Sequence, residues 1–102
     1  MTETKQFSRP SEASIERRFA KMCNDRGAEC RKFVSPGWRG VPDRLLLLPG
    51  GKCVFVEFKA PGKRPTALQA KRHDELRSLG FRVEVIDSKE GADALLEEVL
   101  PR

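Results

Sequence analysis

The stretch Gly40-Val41-Pro42-Asp43-Arg44-Leu45-Leu46-Leu47-Leu48-Pro49-Gly50-Gly51-Lys52-Cys53-Val54-Phe55-Val56-Glu57-Phe58-Lys59 decides how this chain folds. Two apolar runs, 43–48 and 52–58, flank Pro49-Gly50-Gly51, and such a pattern reads as a β-hairpin. The first run is almost wholly apolar, so it is expected to be a central strand covered on both faces. Asp43 and Glu57 stand at the ends of the paired strands, where two hard carboxylates suit a Mg²⁺ ion. Lys59 follows Glu57 by two positions and shares its face, because strand side chains alternate. A metal and a cation beside one phosphate form the arrangement that phosphodiester hydrolysis needs.

Each of these residues has a plainer reading. Asp43 after Pro42 is also a common turn pair. An acid entering a run as apolar as Leu45-Leu46-Leu47-Leu48 is costly without a partner, however, and this favours a ligand. Glu57 falls on the same side of its strand as Phe55, so it too is expected to need a partner rather than to face solvent. Lys59 as a surface charge would be ordinary, and its spacing from Glu57 is what argues for catalysis.

Working outward, residues 1–10 read as a disordered tail and 11–102 as one domain. Ser11 is expected to cap a helix running to about Arg26, with Gly27 ending it. Ile15, Phe19, Met22 and Cys23 recur on one face of that helix. Residues 30–34 alternate weakly and suggest a first strand, followed by a Gly/Pro-rich loop, 35–42, that carries Trp38. After the hairpin come a basic loop (60–65), a helix over 66–79 stopped by Gly80, and a strand over 82–87. Ser88 caps a last helix with Ala92, Leu95, Leu96 and Val99 on one face. The order is helix, three strands, helix, strand, helix: an α/β fold.

Composition bounds the function. A chain of 102 residues with 20 Lys+Arg against 15 Asp+Glu is a small basic domain, suited to a polyanion. No apolar stretch approaches the length of a membrane helix, and the polar N-terminus lacks the apolar run of a signal peptide. Cys23, Cys30 and Cys53 lie among apolar residues and read as buried reduced thiols of an intracellular protein. With His73 the sole histidine, a zinc site is not expected.

Gly40-Val41-Pro42-Asp43, the hairpin, Glu57-Phe58-Lys59 and then Pro65-Thr66-Ala67-Leu68-Gln69 together resemble the VRR-NUC family of the PD-(D/E)XK nuclease superfamily. The similarity spans roughly residues 11–100. It implies a restriction-endonuclease-like αβββαβ core with an additional C-terminal helix. It also implies a metal-dependent (Mg²⁺ or Mn²⁺) nuclease of phage or bacterial type acting as a homodimer, for which a cytoplasmic setting is expected; two sites about a two-fold axis suit branched DNA, a four-way junction first. Flap or nicked-duplex cleavage is the alternative substrate. A catalytically silent nucleic-acid-binding module, or a scaffold that is basic by accident, is the alternative class.

The resemblance extends to further site residues. It implies that the Phe58 carbonyl adds a metal ligand and that Gln69 faces the site, although Thr66-x-x-Gln69 equally reads as a capping box. It implies that Glu16 holds a metal or its waters, against an ordinary helix-surface role. It brings Lys32, otherwise a solvated strand residue, near the site. Lys32, Arg39, Arg44, Lys63, Arg64, Lys71 and Arg72 are the candidate DNA contacts, Lys63 and Arg64 foremost, because they follow Lys59 directly. Trp38 reads as core or dimer contact rather than a base-stacking platform. His73 reads as helix surface or as a residue behind the site.

Overall fold

The structure, a computed structural model, describes residues 10–101. The expected N-terminal tail, Pro10 apart, lies outside the described residues. Three helices and one sheet follow in the order α1 (Glu12–Asp25), β1 (Glu29–Lys32), β2 (Arg44–Leu47), β3 (Cys53–Phe58), α2 (Ala67–Ser78), β4 (Arg82–Ile86) and α3 (Lys89–Val99). This is the expected α/β core with its extra C-terminal helix. The sheet order is β1-β2-β3-β4, antiparallel except for the parallel β3–β4 pair. A parallel pair cannot be joined by a tight turn, so the chain leaves the sheet after β3 and crosses back through α2.

Local chemistry sets the helix limits. The Ser11 side chain accepts from Ser14 N–H at 3.0 Å to open α1, and Ser88 does the same for α3 through Gly91 N–H at 2.9 Å. At the end of α2, Gly80 takes φ +96°, a left-handed turn that a side chain would resist.

The two faces of the sheet have different covers. On one, Cys30, Leu46, Val54, Val56, Phe58 and Ile86 pack under α1 and α3 in the main core. Phe19 and Phe58, both fully buried, meet there with ring centroids 5.6 Å apart. Burying one such ring is worth about 1.5–3 kcal/mol. On the other face a smaller cluster joins Phe55, Leu76 and Val83, with Phe33, Trp38 and Leu45 beside it.

Strand β2 is internal but, contrary to the expectation from its apolar sequence, it is not covered on both faces. Leu46 is fully buried, whereas Leu47 on the α2 side is 43% exposed. The reason is that α2 packs over β4 and leaves the β1–β2 end of that face thinly covered. The first strand is also shifted to 29–32, so Val34 lies beyond it and is exposed. Cys23 and Cys30 are buried free thiols as expected, while Cys53 is only half-buried.

Candidate active site

The hairpin register builds the site. Arg44 pairs with Val56, so one step further along the antiparallel ladder Asp43 stands opposite Glu57. Asp43 is fixed at both ends: its Oδ2 accepts from Phe58 N–H at 2.7 Å, and its carbonyl accepts from Phe33 N–H at 2.9 Å. The lead-in is equally constrained. Pro42 is fully buried. Gly40 has φ +87°, and a Cβ there would stand 2.8 Å from Leu68 Cγ on α2. The Gly-x-Pro-Asp sequence thus lets the Asp43 loop lie directly against the helix that closes the site.

Glu57 is 1% exposed. Burial pushes its pKa up, and the charge of Asp43 and a hydrogen bond with it push further, to about 8. Lys59 pulls the other way without offsetting them, and Glu12, in the first turn of α1, adds a small upward push. A buried Glu57 therefore faces the half-buried Asp43, with too little positive charge to offset them. Lys59 sits just past β3, half-buried, with its N–H bonded to Ile86 O at 2.9 Å.

Helix α2 closes the site through two residues one turn apart. Gln69 answers both of its readings at once. Its Oε1 accepts from Thr66 N–H at 2.9 Å, completing a capping box, and its Nε2 reaches Glu57 Oε2 at 3.3 Å. His73 is not helix surface: it is 2% exposed, with Nε2 3.3 Å from Glu57 Oε1. Burial, helped by the charges of Arg77 and Lys59, holds the His73 pKa below its usual value. The sequence carried a signal for this residue, since His73 lies four positions after Gln69 and so shares its helix face.

Glu16 lies elsewhere. Its carboxylate is under the α1 face of the sheet, where Oε2 accepts from Lys32 Nζ at 2.8 Å and Arg44 Nε at 2.6 Å. Arg44 also donates from Nη1 to Cys30 O at 3.1 Å. Asp43 and Glu57 point to the opposite face by strand alternation, so the structure does not bring Glu16 or Lys32 to them. The first-helix acid whose charge reaches Glu57 is Glu12. The two glutamates are four residues apart, and the sequence does not say which turn of α1 meets the end of β3.

The candidate DNA contacts divide in two. Arg72 donates to Arg39 O at 2.8 Å and to Glu75, and its guanidinium carbon lies 5.6 Å from the centroid of the half-buried Trp38 ring. Arg44 and Arg72 thus spend their charge on the protein itself. Among the described residues, no ion pair or hydrogen bond engages the side chains of Arg39, Lys63, Arg64 or Lys71, and all four residues are exposed. Lys63 and Arg64 line an open cleft of about 420 Å³ with Gly62, Pro65, Val85 and Asp87. It adjoins the acids, since Val85 pairs with Glu57.

The donor set fits a magnesium-like ion. Mg²⁺ is held through one or two carboxylates plus waters and phosphate oxygens rather than an all-protein cage. Asp43 and Glu57 supply that pair, and among the described residues no group of three His, Cys, Asp or Glu side chains offers a fuller cage. Phe58 donates its N–H to Asp43 Oδ2, so its backbone runs beside the acid.

No family model matches the chain. A protein of Acyrthosiphon pisum secondary endosymbiont phage 1, named "Putative nuclease p44", is 48% identical over 90 residues, 88% of this chain and 91% of its own length. A solved structure described as a VRR_NUC domain superposes with a TM-score of 0.76 at 30% identity, covering 85% of this chain and 96% of the other. Both likenesses run across the hairpin and helix that assemble the acids, and the chain belongs to the VRR-NUC family.

Proposed function

We propose that the chain is a nuclease that hydrolyses DNA phosphodiester bonds with Mg²⁺ or Mn²⁺. The observation that carries this reading is the buried Glu57 set against the half-buried Asp43, with Lys59 on the same face. Such a pair is unfavourable alone and becomes favourable around a divalent cation. The named phage relative and the VRR_NUC structure support a nuclease.

Asp43 and Glu57 would hold the ion, with the Phe58 carbonyl as a further oxygen. The bound ion would lower the pKa of a water and neutralise charge on the phosphate. Lys59 stabilises the charge that grows on the phosphate oxygens as the bond breaks. Gln69 keeps the Glu57 carboxylate turned toward Asp43. Lys63, Arg64, Arg39 and Lys71 supply sequence-independent affinity for the backbone. Glu16 is assigned to the ion-paired clamp with Lys32 and Arg44, and Arg72 to the contact between α2 and the Trp38 loop.

The proposed substrate is branched DNA, a four-way junction before a flap or nick, cut by a homodimer. One domain of this size offers one set of acids, and two-fold symmetric cuts need two. Leu47, Leu79 and Phe81 are apolar side chains left exposed, and they suit a second copy better than Trp38, which is packed against Arg72. The proposed setting is the cytoplasm of a bacterium or of a phage-infected cell; no helix among the described residues is long and apolar enough to cross a membrane.

A panel of labelled duplex, flap and four-way junction DNA, incubated with Mg²⁺ or Mn²⁺ or with chelator, tests the reading. Metal-dependent cleavage with paired symmetric cuts in the junction is expected. Binding without cleavage would make the chain a silent nucleic-acid-binding module. Light scattering at micromolar concentration checks the dimer, and a monomer that cuts only flaps would overturn the junction assignment.

A further inference from the structure

Both oxygens of Glu57 are engaged from a single helix. Gln69 Nε2 stands 3.3 Å from Oε2 and His73 Nε2 3.3 Å from Oε1. The Gln69 amide is already oriented, because its oxygen is committed to the Thr66 N–H. His73 has no such second duty. Among the described residues its side chain bonds Glu57 alone, although the residue is 2% exposed. A polar ring at that depth is costly unless its bond matters to the structure or to the site, and a leucine would fill similar space without the cost.

We propose that His73 is a positioning residue that fixes the plane of the Glu57 carboxylate for an incoming divalent cation. The inference rests on the metal-nuclease reading, since it takes Glu57 as a ligand. The terminal torsion of a glutamate is broad and roughly two-fold. Held by Gln69 alone, the carboxylate still pivots about Oε2. Held at both oxygens by residues one turn apart on a rigid helix, it cannot. Each oxygen keeps further lone-pair capacity for an ion. A small ion that demands near-octahedral geometry gains most from ligands already in place. The partners of a ligating side chain typically alter metal affinity or activity by 10–100-fold.

The test uses the full chain, with Mn²⁺ as probe. Mn²⁺ affinity is measured by titration calorimetry, metal-free melting temperature by scanning calorimetry, and kcat and KM for DNA across a Mn²⁺ series. His73→Leu keeps the volume and removes the ring nitrogen that meets Oε1. His73→Gln keeps an amide long enough to reach Oε1, and His73→Asn keeps the amide but is too short. His73→Leu and His73→Asn are expected to weaken Mn²⁺ binding by about 10–100-fold. Their kcat should recover at high Mn²⁺ while KM for DNA stays unchanged, and His73→Gln should restore most of the affinity. A merely structural histidine would lower the melting temperature in all variants and leave Mn²⁺ affinity alone. Wild-type affinity in His73→Leu overturns the proposal. If that variant does not fold, equal affinity in the Gln and Asn variants overturns it instead. A wild-type protein that binds no Mn²⁺ overturns the metal reading and this proposal together.

Discussion

Glu16 and Glu57 are two buried glutamates on opposite faces of one sheet, and the protein treats them in opposite ways. Both lose hydration, which raises the pKa of any carboxyl. Around Glu16, Lys32 and Arg44 more than compensate, and its pKa lies below the ordinary value. Around Glu57 deep burial is joined by the charge of another acid, Asp43, and its pKa climbs to about 8. The residue type is the same, at 9% and 1% exposed. Deeper burial and an acidic neighbour leave Glu57 unneutralised, whereas two cations close around Glu16. A perturbed acid that its own chain leaves unneutralised is the better marker of a functional site.

The largest expected effect tests that contrast directly. Asp43→Ala or Glu57→Ala should abolish Mg²⁺-dependent cleavage, with residual rates more than about 10³-fold below wild type, since each would remove a ligand of the proposed metal. DNA affinity, read by fluorescence anisotropy, should stay largely intact, because the cations that carry it lie elsewhere. Glu16→Gln should still cleave at temperatures where it is folded. If it is as inactive as Glu57→Ala while folded, the two faces do not divide the work as argued.

Much of this was legible in the sequence, and the reason is local chemistry. Ser11, Thr66 and Ser88 announce helix starts, Gly27 and Gly80 announce stops, and Pro49-Gly50-Gly51 announces the turn. Hairpin pairing then forces Asp43 and Glu57 together, so the heart of the site follows from spacing. What the sequence hid was relative placement. Choosing Glu12 over Glu16 needs the position of α1 along the end of β3. Recognising that Leu47 is exposed needs the path of α2, which leaves β2 half bare. Arg44 and Arg72 look like the other basic residues until their partners, Glu16 and the Arg39 carbonyl, are placed. Gln69 is both the cap of α2 and a partner of Glu57, and the two contacts are compatible because its amide has two ends.

Lys59 sharpens the contrast from the active face. Lys59→Ala should cost on the order of 10²–10³ in kcat, the usual loss when one preorganised electrostatic group is removed. DNA affinity should change far less. A loss of tenfold or less, matched by an equal loss in affinity, would make Lys59 an ordinary phosphate contact.

The metal-free protein should show the two glutamates as opposite pH slopes. In the folded state Glu57 holds its proton up to about pH 8, while in the unfolded chain it releases it near 4.5. The folded protein therefore binds more protons across that window, and stability falls as pH rises through it. At roughly 1.4 kcal/mol per unit, the full effect is a few kcal/mol. His73, whose folded pKa lies below its ordinary 6.5, pulls the other way below that pH, so denaturant midpoints in chelator should drop most clearly between about pH 6.5 and 8. Glu57→Gln should flatten the slope, and saturating Mn²⁺ should reverse it. A flat profile in the wild type would mean that the Asp43–Glu57 repulsion is relieved in solution.

Glu16 contributes the smaller effect, with the other sign. Its folded pKa lies below the ordinary 4.5, so the stability it adds is complete above that value and is lost as pH falls through the folded pKa. Glu16→Gln removes the anion that neutralises Arg44, whose side chain is only 14% exposed. Breaking a buried pair from one side costs about 3–5 kcal/mol. Lys32 is 66% exposed, however, and regains solvent at little cost, so a loss nearer about 2 kcal/mol is expected. Arg44 also keeps its bond to the Cys30 carbonyl, which limits the damage. Glu16→Gln together with Arg44→Met should recover much of the loss, since no buried charge then remains unpaired. Urea unfolding of the single and double variants measures both terms. If the double variant is less stable than Glu16→Gln alone, Arg44 holds β1 through Cys30 more than it serves Glu16, and the clamp belongs to the sheet rather than to α1.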